Sequence, residues 1–382
     1  MSPTLISKGV SIVALDRQEF IGTIPYVADS RQTLPTQGGI LPSDRFIYGL
    51  KLHFRGRATN PASGGPTGVL ADAPFSIIEK IHIEGRHRVR AAQEPFYDWR
   101  GAEIAEAGKN YASTPPIVNY VVNGSAATAF STAASATNDF EFVLNVVFPP
   151  EKMGWPQQMR YLLDAPNYDS LIMGAFFSDA ASLFSGQTTA PTFSAYGAST
   201  GSPELRVEGL FAQGGKDQFK GFVPARVWRY FFENTGSALT GGQNGANLLN
   251  LPVGYRLRSL MLKTGVKAST TSSGNNAYAS LSDQVLQNIY IYRGTNKINR
   301  YFRDYITLKD ATRQSYAITP SAGYGLIDWC QHGNDWEAIN ATQLSAGPSG
   351  DVAFYLQGDV SGAANQGLVV AVQELRGSPV QM

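Results

Sequence analysis

One serine in this sequence lies within a motif that some hydrolases use for their nucleophile. Residues 197–201 (GASTG) match the G-x-S-x-G pattern, in which a strained turn between a strand and a helix exposes the serine. The residues around this match are mostly Ser, Thr and Ala, and Pro203 follows where the motif requires a helix. We therefore expect Ser199 to lie in a loop without a catalytic role.

A second segment approaches the phosphate-binding P-loop pattern without completing it. Residues 209–216 have the two motif glycines, but Gly215 stands where the lysine is required. Asp217 follows Lys216 and offers no hydroxyl group for magnesium. The sequence therefore predicts a linker between two domains at residues 213–216, and no nucleotide site.

The four histidines do not form a metal-binding pattern. His53 and His82 lie in apolar strand patterns, and we expect them to be packed as neighbours across strands. His87 and His332 have no zinc-ligand spacing to the other two. We predict no metal site.

Two carboxylate pairs have the residue types of a glycosidase acid and base. They are Asp98 with Glu103 and Asp335 with Glu337. Both pairs are expected on helices, and such spacing occurs in most proteins. We predict no catalytic residues, no cofactor and no enzymatic activity.

Composition and charge also bear on function. Hydrophobic residues make up 43% of the chain and charged residues only 16%, against roughly 25% in ordinary soluble domains. The net charge of +1 and the absence of a basic block argue against specific nucleic-acid binding. Cys330 is the only cysteine, which excludes an intrachain disulfide. So few charges favour a surface that neighbouring subunits largely cover.

Neither a secretory signal nor a membrane-spanning helix is expected. Residues 1–15 lack a basic start followed by an apolar run, and we interpret them as an extended arm. No apolar stretch approaches the ~20 residues of a membrane helix.

The chain contains one pattern twice. Residues 41–85 hold an apolar strand, a Ser/Gly loop and a second apolar strand, and residues 251–294 repeat this order about 208–210 residues later. The repeat predicts two similar β domains. The side chains expected in the two cores are Leu50, Leu52, Ile81 and Ile83 in the first copy, and Leu260, Leu262, Ile289 and Ile291 in the second.

Further elements follow the same order in both halves. Strands are predicted at 18–27, 140–148, 171–177, 205–211, 222–232, 324–329, 352–356 and 368–372. Phe20, Gly22, Ile24 and Tyr26 are expected on one side of the first of these strands. Helices are predicted at 96–107, 156–165, 301–312 and 335–341, and long loops at 113–138, 178–203 and 235–250.

About eight antiparallel strands per half, with helices confined to two connections, are typical of a jelly roll. Two such halves, with Leu50-x-Leu52 answered by Leu260-x-Leu262, resemble the double jelly-roll major capsid protein. That protein forms the shells of tailless icosahedral viruses with an internal membrane, such as tectivirus-like phages. The resemblance covers about residues 15–375. It implies an all-β fold of two tandem eight-stranded antiparallel jelly rolls with short helices in the connections.

The resemblance also implies a function. The expected protein is a viral major capsid protein that forms pseudo-hexagonal homotrimers and then an icosahedral shell, located in the virion and assembled in the host cytoplasm. Its partners would be further copies of itself, minor capsid and vertex proteins, and an internal membrane touched by the arm. Loops at one end of each roll would face outward. The expected domains are the arm at 1–15, the first roll at 16–212 and the second roll at 213–382.

A carbohydrate-active or carbohydrate-binding protein of two β-sandwich domains is the alternative. The chain has 5 Trp, 18 Tyr and 20 Phe, and aromatic residues on an exposed sheet could stack on sugars. Such proteins are commonly secreted, and neither a signal nor a disulfide supports that here. Aromatic side chains more often fill sandwich cores and subunit contacts.

Overall fold

The protein folds almost entirely into antiparallel β-strands. The computed structural model describes residues 15–35, 41–42, 44–87, 93–111, 120–126, 129–148, 162–163, 165–212, 226–233, 239–251, 256–267, 278–293, 296–297, 302–316, 319–329, 339–340 and 354–376. These residues form two compact units that divide between Val227 and Trp228. The predicted linker at 213–216 lies outside the described residues, as does the arm up to residue 14.

The first unit contains thirteen strands and one α-helix among its described residues. The strands are β1 Leu15–Pro25, β2 Ser30–Thr33, β3 Ile47–Thr59, β4 Gly68–Val69, β5 Ile78–His87, β6 Gln93–Trp99, β7 Tyr120–Val122, β8 Ser125–Ala126, β9 Thr137–Val147, β10 Tyr168–Phe177, β11 Phe184–Ser185, β12 Thr192–Ser194 and β13 Glu204–Ala212. The helix α1 is Gly101–Tyr111, and short 3-10 turns occupy Phe75–Ile77, Ala165–Asn167 and Ala180–Leu183.

Eight of these strands build two facing sheets. One has the order β1-β13-β3-β9, with β7 and β8 continuing beyond β9, and the other has the order β2-β10-β5-β6. Numbered along the chain from first to eighth, the strands follow the orders 1-8-3-6 and 2-7-4-5. This is the jelly-roll arrangement, because sequential strands cross between the sheets.

The second unit has eleven strands and one α-helix among its described residues. The strands are β14 Arg226–Glu233, β15 Ala246–Asn250, β16 Arg256–Lys267, β17 Tyr278–Leu281, β18 Leu286–Arg293, β19 Asn296–Lys297, β20 Phe302–Asp304, β21 Tyr324–Asp328, β22 Ile339–Asn340, β23 Phe354–Val360 and β24 Gln366–Arg376. The helix α2 is Tyr305–Tyr316.

The second unit repeats the strand order of the first. Its sheets run β14-β24-β16-β21 and β15-β23-β18-β20, which are again 1-8-3-6 and 2-7-4-5. Both α-helices fall in the same connection, between the fifth and the sixth strand. The fold prediction of two tandem eight-stranded jelly rolls is therefore confirmed, and the internal repeat extends to the complete topology.

Alternating apolar residues place the core between the two sheets of each roll. In β9 every second residue from Asn138 to Val146 is buried, and in β3 the alternate residues from Leu50 to Phe54 have no exposed surface. The eight leucine and isoleucine side chains predicted from the repeat are all at most 1% exposed. The repeat therefore identified the core side chains of both rolls.

The helix predicted at 96–107 begins too early. Residues up to Trp99 belong to β6, in which Tyr97 and Trp99 are buried and Asp98 points to the other side. Pro95 suggested a helix start but lies opposite Glu84 at a break in strand register, where a missing N–H is tolerated. The aromatic alternation outweighs the proline signal here.

Three further helix predictions need correction. Leu163, expected within the helix at 156–165, forms an antiparallel bridge with Ile47 instead. Residues 339–340, expected at the end of a helix, form β22 against β16. The helix predicted at 301–312 begins at Tyr305, where Asp304 caps it by accepting a hydrogen bond from the Thr307 N–H at 2.9 Å.

The long loops are more ordered than expected. The segment 113–138 contains the β7–β8 hairpin, and 178–203 contains β11 and β12. Residues 246–250 form β15. Phe20 is 56% exposed, although Ile24 on the same strand is buried, because an irregularity between Phe20 and Gly22 breaks the alternation.

Candidate functional site: a loop cap on the first jelly roll

The residues with catalytic patterns are not brought together. Ser199 is exposed in the connection between β12 and β13, and no helix follows it before β13 begins. Gly209 lies within β13, while the rest of the P-loop-like segment beyond residue 212 is outside the described residues. Asp335, Glu337 and His332 are also outside them.

The two strand histidines lie on different sheets, so the prediction that they are neighbours is wrong. His53 is on β3 opposite Val143 and Arg206, whereas His82 is on β5 opposite Asp98 and Gly174. Strand periodicity places a residue on a face but does not say which strands pair, and that information was missing from the sequence.

Each of these histidines instead contacts carboxylates on the outer face of its sheet. His53 Nε2 lies 3.1 Å from Glu141 Oε2. His82 Nε2 lies 3.2 Å from Glu84 Oε2, and its Nδ1 lies 3.6 Å from Asp98 Oδ1. The His53–Glu141 and His82–Asp98 contacts join neighbouring strands, whereas His82 and Glu84 both lie on β5.

His82 belongs to a half-buried group of charges on the sheet β2-β10-β5-β6. Burial is the largest effect on His82 and lowers its pKa, although the hydrogen bond to Glu84 opposes this. Burial alone would raise the pKa of Glu84, but hydrogen bonds from His82 and Arg31 hold it below its ordinary value. Burial likewise lowers the pKa of Lys80, whose Nζ lies 2.7 Å from Asp98.

The carboxylate pair Asp98 and Glu103 does not lie on one helix as expected. Asp98 is on β6, and Glu103 is fully buried in α1. Asp98 contacts Lys80 and His82. The spacing that suggested an acid and a base therefore reflects a strand followed by a helix.

Within the described part of the chain, no group of three or more His, Cys, Asp or Glu side chains could hold a metal ion. No described helix has the length and apolar character needed to cross a membrane.

Three connections between strands are hydrogen-bonded to one another at one end of the first roll. We call this the loop cap and define it as residues 60–71, 129–136 and 180–203. Gly64 O accepts hydrogen bonds from the backbone N–H groups of Thr188 and Thr189, each at 2.9 Å. The strands β4 and β11 also pair through Val69 and Phe184. The first and third connections are thus joined by main-chain hydrogen bonds.

Asn60 joins the first connection to the second. Its backbone N–H donates to Ala136 O at 2.9 Å, and its Nδ2 donates to Ser131 O and Ala133 O at 2.8 and 3.0 Å. Asn60 is almost fully buried, so these bonds satisfy backbone and side-chain N–H groups that water does not reach. Loops tied in this way have a defined shape.

The carboxylate of Asp139 connects the sheet to the loop cap, and an arginine on the neighbouring strand holds this carboxylate in place. Arg57 on β3 donates from Nε and Nη2 to the two carboxylate oxygens of Asp139 on β9, both at 2.7 Å. Asp139 Oδ1 also accepts from the backbone N–H of Gly197 at 2.9 Å. The hydrogen bonds from Arg57 and Gly197 hold the pKa of Asp139 below its ordinary value.

Aromatic rings from different connections meet under the cap. Phe130 lies 5.3 Å from Phe140 of β9 and 5.6 Å from Phe184, measured between ring centroids. Phe193 is 5.9 Å from Phe140. The two Phe130 contacts are edge-to-face and the Phe193 contact is tilted. Such contacts add to the energy of burial, so the cap has a small core of its own.

No residue of the loop cap is Asp, Glu, Lys, Arg or His. Its exposed positions are Ser, Thr, Ala and Gly, including Ser63, Thr188 and Ser199. The second and third connections fall within the long loops predicted at 113–138 and 178–203, whereas the first was not predicted as a long loop. The signal that would have found it is the uncharged run 60–71, which has the same composition as the other two.

The comparisons with known proteins agree with this fold. No protein-family model and no curated protein sequence matches the chain. Its structure is similar to that of the MCP of STIV, Sulfolobus Turreted Icosahedral Virus, with a TM-score of 0.62 and 11% identity over 95% of this chain and 96% of that one.

Two further solved structures are similar. The major capsid protein P2 of bacteriophage PM2 has a TM-score of 0.54 and 12% identity over 95% of this chain and 98% of that one. The PBCV-1 virus capsid gives 0.55 and 10% over 98% and 95%. At these identities the likeness concerns the fold. Because it spans nearly the whole of each chain, and because both units here have the complete strand order, the protein has the double jelly-roll fold of these capsid proteins.

Proposed function

We propose that the protein is a viral major capsid protein that assembles with copies of itself into an icosahedral shell. The observation that carries this proposal is the presence of two complete jelly rolls of identical strand order in one chain. Similarity to capsid proteins over at least 95% of the chain supports it. Those proteins are structural components of capsids, and this also supports a non-enzymatic role for the protein.

The assembly unit of this proposal is a homotrimer. Two similar rolls per chain, at residues 16–212 and 213–382 in our proposal, would supply two similar wedges, so three chains would supply six. Six wedges make a nearly hexagonal tile, which can fill a flat facet of an icosahedron. Light scattering on the purified protein should give three times the chain mass of 41.2 kDa. A stable monomer at micromolar concentration would contradict the capsid role.

In the assembled shell the loop cap faces outward in our proposal. Its three connections are tied to one another by main-chain hydrogen bonds, which suits a surface that no neighbouring subunit supports. A Ser199→Cys variant on a Cys330→Ser background should react with an impermeant maleimide as fast in particles as in free protein. Loss of labelling on assembly would place the cap in a subunit contact or on the inner face of the shell instead, and the Cys330→Ser parent measures background.

Finer partners remain predictions from the family resemblance. They are minor capsid proteins, vertex proteins, an internal membrane reached by residues 1–15, and assembly in the host cytoplasm. Co-purification of native particles with identification of the accompanying proteins and lipids would test each of them.

A further inference from the structure

Within the described part of the chain, β1 lies at the edge of its sheet in the first roll. Among the described residues, β1 pairs with β13 on one side and with no strand on the other. It is 11 residues long, whereas most strands have about 5–6. An open edge exposes N–H and C=O groups that can pair with a further strand.

An exposed aromatic side chain marks one part of this edge. Phe20 is 56% exposed, and the Arg206 guanidinium lies 4.7 Å from the centroid of its ring. The pairing of β1 with β13 is regular from Arg17 to Phe20 and is interrupted on both sides of that run. At this edge, a short run of regular strand backbone therefore lies next to the exposed Phe20 side chain. This arrangement suits pairing with another short strand.

The arm that precedes β1 has the sequence of such a strand. Residues 4–13 contain no acidic residue and one lysine, Lys8. Alternate positions on one side are Ile6, Lys8, Val10 and Ile12, and those on the other are Leu5, Ser7, Gly9, Ser11 and Val13. Alternation of β-branched with small polar residues is typical of a half-buried strand.

The arm of the same chain is poorly placed to reach this edge. Leu15 is already paired with Ala212, so the chain enters β1 along the strand direction. To lie beside β1, the arm would have to reverse within residues 13–15, which contain no Gly, Pro, Asn or Asp. Tight reversals rely on those residue types. The arm of another copy needs no such turn.

We propose that the arm of a second copy, within residues 1–14, adds as a strand to the free edge of β1 and covers Phe20. Fourteen extended residues reach about 46 Å, more than β1 requires. Main-chain hydrogen bonds would supply the affinity, and the β-branched side of the arm would pack on Phe20. This inference rests on the proposed self-assembly and specifies one contact within it.

Cross-linking of Lys8 to Lys51 tests the contact. Phe20 lies opposite Glu208, and Glu208 opposite Lys51, so Lys51 is two strands from the edge. At about 4.8 Å per strand, an added arm would lie about 15 Å from Lys51. Full-length protein assembled from equal amounts of unlabelled and ¹⁵N-labelled chains, treated with a lysine-reactive cross-linker of that span, should give Lys8–Lys51 peptides that join a light half to a heavy half.

Matched variants sharpen the test. Ile6→Pro with Ile12→Pro removes two backbone donors from the arm and should lower the yield of mixed peptides about tenfold, whereas Ile6→Val with Ile12→Val should keep it. Phe20→Lys should lower the yield as well, and Phe20→Tyr should not. Since Phe20 is 56% exposed within its own chain, both edge variants should fold.

Three results would overturn the inference. Links found only within one label would show that the arm folds onto its own chain. A trimer in light scattering without any Lys8–Lys51 link would remove this contact and leave the proposed function intact, whereas a monomer would contradict the proposed function itself. Arm amides that become protected from hydrogen exchange only when phospholipid vesicles are added would assign the arm to a membrane.

Discussion

At the scale of single residues, charge pairing is concentrated on the outer faces of the sheets. On β5, His82 lies between Glu84 and Asp98, and Arg31 from β2 reaches Glu84 at 3.3 Å. These residues come from strands that the sequence could not pair. The types of the residues were readable in advance, and their grouping required the strand order.

His82 should make stability depend on pH. Its pKa in the folded protein is below the ordinary value of about 6.5 because of burial, so the unfolded chain binds more protons in that region of pH. The contribution of His82 to the free energy of unfolding is therefore fully present above about pH 6.5. It is lost as the pH falls from there towards the pKa of His82 in the folded protein. Chemical unfolding of the protein between pH 7 and 5 should show this slope.

A His82→Gln variant should flatten this slope, since glutamine can still donate to Glu84 and does not titrate. His53→Gln, on the other sheet, is the matched control and should keep it. An unchanged slope in His82→Gln would assign the pH dependence to other groups.

A half-buried ion pair anchors α2 in the second roll. Lys309 Nζ donates to both carboxylate oxygens of Asp283 at 2.7 Å and to Ser321 O at 2.8 Å. Lys309→Met leaves the Asp283 carboxylate without this partner and should cost about 1–3 kcal/mol of unfolding free energy. Arg313→Met removes only the exposed pair with Asp310 on the same helix. This substitution should cost about 0.3–0.5 kcal/mol of unfolding free energy. Equal losses in denaturant titrations would refute an anchoring role.

At the scale of elements, the repeated strands were the most predictable part of the molecule. Leu52 of β3 and Leu262 of β16 occupy the same place in the two rolls, and both are fully buried. Period-two alternation fixes the face of such residues, so sequence sufficed. The helix boundaries were less predictable, because Pro95 is compatible with both a helix start and a strand irregularity.

Because these two leucines occupy equivalent positions, the same substitution should have a similar effect in each roll. Leu52→Ala and Leu262→Ala should each cost about 2–5 kcal/mol, since each opens a cavity in a packed core. Hydrogen exchange should show the loss mainly in the roll that carries the substitution. A substitution at either site with less than about 1 kcal/mol of effect would contradict the equivalence of the two cores.

At the scale of the whole molecule, the distribution of charge bears on assembly. The sheet faces carry charges paired across strands, such as Arg57 with Asp139, while the loop cap carries none. Paired charges contribute little net attraction between subunits, so salt should weaken a trimer only slightly. Light scattering in dilute buffer and in ~1 M salt should give the same mass. Dissociation in the higher salt would mean that unpaired charges hold the subunits together.

The strand order of the first roll also governs when it can form during synthesis. Gln18 and Glu208 are hydrogen-bonded although 190 residues separate them, because the first and the last strand of the roll are neighbours. At about 5–20 residues per second, a ribosome needs on the order of 10–40 s to deliver both partners. Until β13 leaves the exit tunnel, β3 has only one of its two long neighbours, and β1 has no partner among the described strands. The nascent chain should therefore stay sensitive to protease when arrested just before β13 and become resistant once β13 has emerged from the ribosome.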